Sequence, residues 1–299
     1  MAQRIEVRKL DDGRQEWTFG VLDFVRQTGL FSRRLMRRST CFLYDGDRRL
    51  PETGRITVST EPRVLRWRKV EFRAWLGHEP LMLLHKPVGY VVSSQPDGGH
   101  PSIFEVLPSV AWQWSLQPVG RLDVETSGLL LFTADGALLQ RLTHPKRAVE
   151  REYLVGTEEP LSDVTREQMR SGQVVLRDGL KPTPTLVEDA GRAHSGEYVT
   201  RVVLTEGKYH EVRRLFAALG HAVVSLKRQR FGSVGLDFAP ALDTPGESYL
   251  ATNAETAAIY TSVGMKEPGL RLLIERLTPD GMDDDTEDWE DDDFEDDED

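Results

Sequence analysis

The apolar residues of this sequence come in short runs, and strand-like and helix-like runs follow one another without a regular order. Alternating or β-branched runs predict strands, whereas apolar residues spaced three or four apart predict helices. Regular strand–helix alternation would indicate a parallel sheet, and this chain lacks it. The sequence therefore predicts an α+β fold with a mainly antiparallel sheet. The predicted strands cover residues 81–84, 153–155, 173–176, 198–204 and 222–225, and the predicted helices cover 137–142, 164–171 and 211–219.

Length and composition indicate a globular protein of about two domains. The chain has 299 residues, of which 39% are hydrophobic and 29% charged, so a buried core can form. No run of about 18 apolar residues occurs, and the first residues lack the apolar segment of a signal peptide. The single cysteine, Cys41, excludes an internal disulfide, argues against a thiolate-bound metal and fits a cytoplasmic setting.

The net charge of −11 hides basic zones. Residues 283–299 contain 14 acids and no base, and the rest of the chain carries a net charge of +3. The first 75 residues carry +7, and residues 201–230 carry +5. Such zones suit a polyanionic partner such as nucleic acid, although basic faces also occur on proteins that bind none.

Changes in composition, together with glycines and turn motifs, divide the chain into six segments. A compact N-terminal module combines a helix from Leu22, a second helix capped by Ser32 with an arginine cluster, and a hairpin signal at Asp45-Gly46. The arginine cluster either faces phosphates or is a solvated helix face. The predicted segments are a flexible arm (1–15), the module (16–65), a linker (66–78), a larger domain (79–251), a helical segment (252–278) and a disordered acidic tail (279–299).

Asp123 stands out in a charged loop that precedes the apolar run 129–132. Glycines on either side, Gly120 and Gly128, permit tight turns. Loops that a rigid sheet holds in place are favoured positions for reactive side chains. An exposed acidic turn is the alternative interpretation of the same pattern.

Two further segments carry candidate residues. Residues 206–216 place Lys208, Arg213 and Arg214 near a helix start, where cations oppose the helix dipole unless an anion offsets them. A basic surface helix paired with Glu206 and Glu211 is the alternative. Tyr153 begins a predicted strand after a polar loop, a position that suits either core packing or a substrate contact.

Several common chemistries find no support in the sequence. It contains no His-Glu-x-x-His motif, no phosphate-binding Walker loop and no glycine-rich dinucleotide fingerprint. It also contains no Gly-x-Ser-x-Gly elbow, so serine-hydrolase chemistry is not indicated.

Taken together and in order, these segments resemble the RsuA/RluB-type ribosomal RNA pseudouridine synthases. The stretches that carry the resemblance are Leu84-His85-Lys86-Pro87-Val88-Gly89-Tyr90, Val119-Gly120-Arg121-Leu122-Asp123, Thr126-Ser127-Gly128-Leu129-Leu130-Leu131, Glu152-Tyr153-Leu154-Val155, Thr205-Glu206-Gly207-Lys208-Tyr209-His210-Glu211-Val212-Arg213-Arg214-Leu215-Phe216 and Leu226-Lys227-Arg228. The resemblance implies an antiparallel-sheet catalytic domain with a basic cleft, preceded by an S4-like RNA-binding module. It implies no cofactor and no metal.

The resemblance also implies roles for individual residues. Asp123 corresponds to the essential carboxylate, Tyr153 to the residue that stacks on the base, and Arg213 to the partner of the carboxylate. The candidates for RNA contacts are Arg121, Lys208 and Arg214 in the catalytic domain and Arg33, Arg34 and Arg37 in the N-terminal module. The family usually has glutamine where Glu211 stands and lysine where Arg151 stands.

The implied activity is the conversion of a specific uridine in ribosomal RNA to pseudouridine. The segments around Tyr209 and His100 are most similar to the small-subunit branch. The expected partner is ribosomal RNA or an assembly intermediate, and we expect a monomer in the cytoplasm. A large-subunit target and a catalytically silent RNA-binding assembly factor are the alternatives.

Overall fold

The computed structural model describes residues 5–12, 14–28, 43–51, 53–67, 69–238 and 240–277. The chain divides into two compact units. One unit combines Met1–Leu76 with Leu272–Asp299, and the other comprises Gly77–Arg271.

The N-terminal unit contains two small sheets and one described helix. A three-stranded antiparallel sheet has the order β1-β2-β5 and consists of β1 (Glu6–Lys9), β2 (Gln15–Gly20) and β5 (Arg55–Val58). A five-stranded sheet has the order β17-β7-β6-β3-β4 and consists of β3 (Leu43–Asp45), β4 (Arg48–Leu50), β6 (Arg63–Trp67), β7 (Val70–Gly77) and β17 (Arg271–Arg276). Helix α1 (Val21–Thr28) follows β2 directly.

Aromatic side chains join the elements of this unit. The ring of Phe24 on α1 lies 5.7 Å from that of Phe19 on β2 and 6.4 Å from that of Phe72 on β7. All three side chains are buried. One face of the helix therefore contributes to a core with both sheets.

The structure differs from the predicted segments at four places. Residues 6–9 are paired with residues 15–18 rather than forming a loose arm, although all four side chains are exposed and show no apolar pattern. The predicted linker 66–78 contains the whole of β7, in which buried Val70, Phe72, Ala74 and Leu76 alternate with more exposed residues. The larger unit ends at residue 271, not 251. The segment 252–278 contains a helix, as expected, but its last part is strand β17.

Two further expectations of the sequence lie outside the described residues. These are the second helix with Arg33, Arg34 and Arg37, and the acidic tail 279–299. The predicted hairpin at Asp45-Gly46 is confirmed, because β3 and β4 flank it as an antiparallel pair.

The larger unit is built on a nine-stranded sheet that confirms the predicted α+β class. The sheet path is β12-β13-β11-β14-β10-β8-β16, with β15 on β14 and β9 on β10. Its strands are β8 (Leu81–Lys86), β9 (Gln117–Pro118), β10 (Ser127–Thr133), β11 (Arg151–Thr157), β12 (Leu186–Arg192), β13 (Tyr198–Leu204), β14 (Val223–Phe231), β15 (Val234–Gly235) and β16 (Ser248–Leu250). Its helices are α2 (Val110–Gln113), α3 (Gly136–Thr143), α4 (Asp163–Arg170), α5 (Glu211–Ala218) and α6 (Asn253–Ser262). No described helix is long and apolar enough to cross a membrane.

Both faces of the central strands are buried, which explains their continuous apolar runs. On β10, Leu130 and Phe132 belong to one core, whereas Leu129 and Leu131 belong to a second core on the opposite face. The predicted strand at residues 173–176 is wrong, because these residues form an irregular connection between α4 and β12.

Strands β10 and β14 are the one parallel pair among the described strands, and they approach closely at Gly128 and Arg228. A Cβ atom on Gly128 would lie 2.3 Å from the carbonyl oxygen of Arg228, and its φ of +111° also favours glycine. Every other side chain would separate the two strands at this point. This contact fixes the strand that follows the loop of Asp123.

Candidate active site

Asp123 lies in the loop between β9 and β10, at the end of the sheet. The loop leaves the sheet after Val119, whose N–H donates to the carbonyl of Leu131 at 2.7 Å. Gly120 then turns the chain with a φ of +75°. The N–H of Thr126 donates to the carbonyl of Asp123 at 3.0 Å and closes the loop. The backbone is thus fixed on both sides of the carboxylate.

A buried lysine beneath this loop holds it from the inside. Lys86, at the end of β8, is 0% exposed. Its Nζ donates to the carbonyl oxygens of Thr126 at 2.9 Å and Val124 at 3.3 Å, on the far side of Asp123. A third bond reaches the carbonyl of Pro87 at 2.9 Å. Burial lowers the pKa of Lys86 to about 8, although the nearby Asp123 carboxylate opposes that shift.

The partner of the Asp123 carboxylate is a histidine from the turn before α5. Nε2 of His210 lies 3.3 Å from Oδ1 of Asp123, and both side chains are partly exposed. His210 has a φ of +49°, a left-handed conformation that is uncommon outside glycine. This conformation turns its ring toward the carboxylate.

Asp123 and Tyr153 line a cavity of about 210 Å³. It is open to solvent, but it is smaller and less open than the neighbouring cleft described below, and we call it the enclosed cavity. Its apolar wall includes Leu204, Leu226 and Phe231. Tyr153 is 9% exposed and also belongs to the apolar core of the sheet. The two interpretations of Tyr153 from the sequence, a core residue and a cavity residue, are therefore compatible.

Two buried arginines flank the aromatic ring of Phe231 in this cavity. The guanidinium carbons of Arg151 and Arg228 each lie 4.9 Å from the ring centroid. Arg151 donates to the carbonyl of Val149 at 2.7 Å, and Arg228 donates to that of Leu129 at 2.8 Å. Burial lowers the pKa of both guanidinium groups below their usual value. They still carry positive charge, so this side of the cavity attracts electronegative groups.

Glu211, the first residue of α5, adds a buried carboxylate to the cavity wall. The side chain is 4% exposed, and Oε2 accepts a bond from the N–H of Lys208 at 2.9 Å. Burial raises the pKa of Glu211, and the charge of Glu206 raises it further, against the effects of Lys208 and Arg151.

Unpartnered polar atoms are concentrated around this cavity. Among the described residues, six buried side-chain nitrogen or oxygen atoms have no hydrogen-bond partner. Four of them belong to cavity-lining residues: Thr126 Oγ1, Glu211 Oε1, Arg213 Nε and Arg228 Nη2. Buried polar groups are normally satisfied, so these atoms are available to hydrogen-bond a polar ligand or water in the cavity.

A wider cleft of about 810 Å³ opens on the outer side of the same loop. It shares Arg121, Asp123, Lys208, His210 and Arg213 with the enclosed cavity. Residues 97, 98 and 100 and Tyr209 extend it away from the carboxylate. Asp123 thus stands where an enclosed cavity meets an open cleft.

The structure brings five of the predicted site residues together and separates the sixth described one. Asp123, Tyr153, Arg213, Arg121 and Lys208 all line the enclosed cavity. Arg214 lines neither space, and its guanidinium is paired with Asp178 at 2.5 Å, which raises the pKa of Arg214. Arg33, Arg34 and Arg37 lie outside the described residues.

Arg213 reaches the Asp123 loop without an ion pair to Asp123 itself. It donates to the carbonyl of Glu125 at 3.1 Å and to that of Val223 at 3.3 Å. Its Nη1 also lies 3.6 Å from Oε2 of Glu125. Within the described part of the chain, the carboxylate of Asp123 is instead paired with His210.

Sequence reasoning assigned no role to three residues that the structure places at the site: Lys86, His210 and Arg228. It considered Glu211 as a pairing partner of a basic surface helix. The sequence contained one signal for two of these residues. Lys86 and Arg228 are charged and end buried apolar runs, and charged residues are rarely buried unless they have a partner. Among the described residues, no group of three or more His, Cys, Asp or Glu side chains could hold a metal ion.

Comparisons with known proteins define the class to which this fold and site belong. The family model described as RNA pseudouridylate synthase matches residues 80–218, which include Asp123, Tyr153 and Arg213. A crystal structure of a pseudouridylate synthase is similar, with a TM-score of 0.51 and 29% sequence identity, over 79% of this chain and 96% of that chain.

Individual relatives narrow the class further. The ribosomal small subunit pseudouridine synthase A of Escherichia coli (strain K12) is 37% identical over 177 residues, which are 59% of this chain and 72% of that protein. An uncharacterized RNA pseudouridine synthase of Aquifex aeolicus (strain VF5) is 37% identical over 193 residues, 63% of this chain and 77% of that protein. The chain belongs to the RNA pseudouridine synthase family, as its motifs predicted.

Proposed function

We propose that this enzyme converts one uridine of small-subunit ribosomal RNA to pseudouridine. One structural observation carries the proposal: Asp123 stands at the mouth of an enclosed cavity whose buried polar atoms lack partners. The small-subunit target rests on the similarity to the Escherichia coli small-subunit enzyme. We further propose that it works as a monomer in the cytoplasm, on ribosomal RNA or an assembly intermediate.

The reaction is an isomerisation in which no atom is gained or lost. The C1′–N1 bond of uridine breaks, the uracil turns, and C1′ bonds to C5. The proton on C5 leaves, and N1 gains a proton. Asp123 acts on the ribose either as a nucleophile at C1′ or as a base that removes a sugar proton to give a glycal. Both routes require an ionised carboxylate. The charge of Asp123 acts on the nearby Lys86, and Nε2 of His210 lies 3.3 Å from Oδ1 of Asp123.

The enclosed cavity requires that the uridine leave its stack in the RNA. Flipping a base costs a few kcal/mol, and stacking on Tyr153 offsets about 1–3 kcal/mol of that cost. The unpartnered atoms of Glu211 and Arg228 supply an acceptor and a donor for the polar edge of the base. Arg213 positions the Asp123 loop through its bonds to Glu125.

RNA outside the cavity meets cations of the catalytic unit. Arg121 and Lys208 line the open cleft and suit contacts to phosphates. Arg214 is less suited to such a contact, because Asp178 already neutralises it. We propose that the N-terminal unit is an S4-like RNA-binding module. Arg33, Arg34 and Arg37 are its candidate contacts from the sequence alone.

Tritium release from ribosomal RNA labelled at C5 of uridine tests the activity, and mapping of pseudouridines in a deletion strain identifies the nucleotide. We expect wild-type protein to release tritium from small-subunit RNA and Asp123→Asn to lose at least about 10³-fold in rate, near 4 kcal/mol of barrier. Release from large-subunit RNA alone would move the target to that subunit. RNA binding without release in either subunit would make the protein an assembly factor.

A further inference from the structure

A stacked pair of rings, Tyr209 and His210, lies at the entrance to the catalytic cavity. Their ring centroids are 4.0 Å apart, and the ring planes meet at 15°. Tyr209 is 77% exposed, more than any other large hydrophobic residue in the described part of the chain. A ring this exposed contributes little to the core, so folding alone does not explain its position.

The pair is fixed in place relative to Asp123. His210 adopts its left-handed conformation with a φ of +49° and approaches the Asp123 carboxylate to 3.3 Å. Uncommon conformations of this kind persist where the surroundings enforce them, and they cluster at functional sites. Because His210 covers one face of Tyr209, the opposite face is available to one flat ligand.

The open cleft, rather than the enclosed cavity, contains Tyr209. The enclosed cavity is lined by Tyr153, whereas the cleft of about 810 Å³ is lined by Tyr209. Arg121 lines both spaces and makes no ion pair or side-chain hydrogen bond with another described residue. An aromatic face and an uncommitted cation in one cleft can bind a base together with its phosphate.

We propose that the Tyr209–His210 pair is a stacking platform for the base of a nucleotide next to the target uridine. This inference rests on the proposed function, because it assumes an RNA strand with one nucleotide in the enclosed cavity. The neighbouring base leaves its own stack and lies on the free face of Tyr209. The platform makes the enzyme require a base at that position, which restricts the RNA loops that it accepts.

Ring substitutions at Tyr209 test the platform. The substrate is an oligoribonucleotide copy of the ribosomal RNA loop that carries the mapped uridine, labelled with tritium at C5. We expect Tyr209→Leu to lower kcat/KM about 10-fold, equivalent to 1.4 kcal/mol, whereas Tyr209→Phe and Tyr209→Trp remain within about threefold of wild type. Trp112→Leu is the matched control, since Trp112 is also an exposed aromatic (51%) but lines neither space. Melting temperatures verify that each variant folds.

Removing the RNA base identifies the position that the platform contacts. In a set of substrates, each nucleotide near the target is replaced in turn by an abasic one. At one position, we expect the abasic substitution to lower the kcat/KM of wild type about as much as Tyr209→Leu does. The same substitution should not lower the kcat/KM of Tyr209→Leu any further, because both changes remove the same contact. The proposal is wrong if Tyr209→Leu matches wild type, if its loss adds to that of every abasic position, or if Tyr209→Phe falls as far as Tyr209→Leu.

Binding constants separate this inference from the proposed function. The Kd for the same oligonucleotides is measured without turnover, and we expect Tyr209→Leu to bind the intact loop more weakly and the abasic loop as wild type does. This result with no tritium release by wild type would support the platform and overturn the proposed activity. If wild type releases tritium and Tyr209→Leu has the Kd and kcat/KM of wild type, the proposed activity is supported and the platform is overturned.

Discussion

Lys86 and Tyr153 show how single residues in the same cavity are constrained in different ways. Lys86 is buried because three backbone carbonyls, two of them in the Asp123 loop, accept its protons. Tyr153 is buried because its ring belongs to the apolar core. One residue depends on its charge and the other on its shape, and experiments can separate the two.

We expect the rate to fall as the pH rises above about 8. Below that pKa, Lys86 is a charged ammonium group with three protons to donate. Above it, the neutral amine has only two and no longer places a positive charge next to the Asp123 loop. Steady-state kcat/KM from about pH 6 to about pH 10 measures the effect, with Lys86→Met as a variant that lacks the alkaline limb.

Unfolding would not explain such a loss. Since the pKa of Lys86 in the folded protein, about 8, is below the ordinary 10.5, the unfolded chain binds more protons between these two values. Its contribution to the free energy of unfolding therefore increases with pH over the same interval. A constant rate up to about pH 10 would show that the charge of Lys86 has no role in turnover.

Tyr153 should tolerate loss of its hydroxyl better than loss of its ring. We expect Tyr153→Phe to retain most of the single-turnover rate, because Phe preserves the face that stacks on the base. Tyr153→Leu should lose about 1–3 kcal/mol of stacking, or roughly 5- to 150-fold. Equal and severe losses in both variants would instead assign proton transfer to the hydroxyl.

At the scale of elements, the start of α5 concentrates more of the site than any other turn. His210, the residue before the helix, contacts Asp123, and Glu211 and Arg213 line the cavity. Glu211 occupies a position where burial disfavours its charge. An acid near a helix N-terminus is normally stabilising, so burial here opposes the favourable interaction with the helix dipole.

Glu211→Gln should stabilise the protein at neutral pH. Because the pKa of Glu211 is raised above its ordinary value of 4.5, the native state binds more protons than the unfolded state just above that pH. The contribution of Glu211 to stability is therefore lost as the pH rises. Glutamine preserves the acceptor for the N–H of Lys208 without the charge, so we expect a melting temperature about 2–4 °C higher at pH 7.

The same measurement at lower pH checks the cause. The advantage of Glu211→Gln should shrink as the pH approaches 4.5, because Glu211 is then neutral as well. Glu158→Gln, at an exposed position, is the control and should leave the melting temperature unchanged. A lower melting temperature for Glu211→Gln at pH 7 would show that the charge is stabilising where it stands.

The sequence could predict those elements whose side chains are buried on a regular pattern. Strands β8 and β10 were predictable because both faces are buried and their apolar runs are continuous. Strand β1 was not, since its side chains are exposed and its backbone pairing leaves no apolar pattern. The pairing of His210 with Asp123 was equally hidden, because it depends on a left-handed backbone that no histidine requires. The loop pattern made Asp123 a candidate, but only the family resemblance favoured a site residue over an exposed acidic turn.

At the scale of the whole molecule, the N-terminal unit is completed by a strand that follows the larger unit in the sequence. Strand β17 forms the edge of the five-stranded sheet beside β7. Leu273 is buried there, and Glu275 pairs with Arg73 at 3.1 Å. The N–H of Leu277 donates to the carbonyl of Glu71 at 2.8 Å.

Truncation after Gly269 should therefore destabilise the N-terminal unit by several kcal/mol, since it removes a paired strand and a buried leucine. Truncation after Leu277 retains β17 and is the matched control. Hydrogen exchange of the β7 amides measures the difference, and the amides of β10 should exchange alike in both proteins. Equal protection of β7 in the two truncations would show that β17 contributes nothing to its stability.

This closure by β17 also sets the order in which a ribosome can complete the protein. Domains generally fold as they emerge, with the N-terminal one first. Here residues 1–76 are synthesised first, yet their sheet lacks the edge strand β17 until residues 271–276 are made. By then every strand of the larger unit has been synthesised. The catalytic unit is then mature before the unit that precedes it in the sequence. Protease digestion of stalled nascent chains should find the catalytic unit protected first.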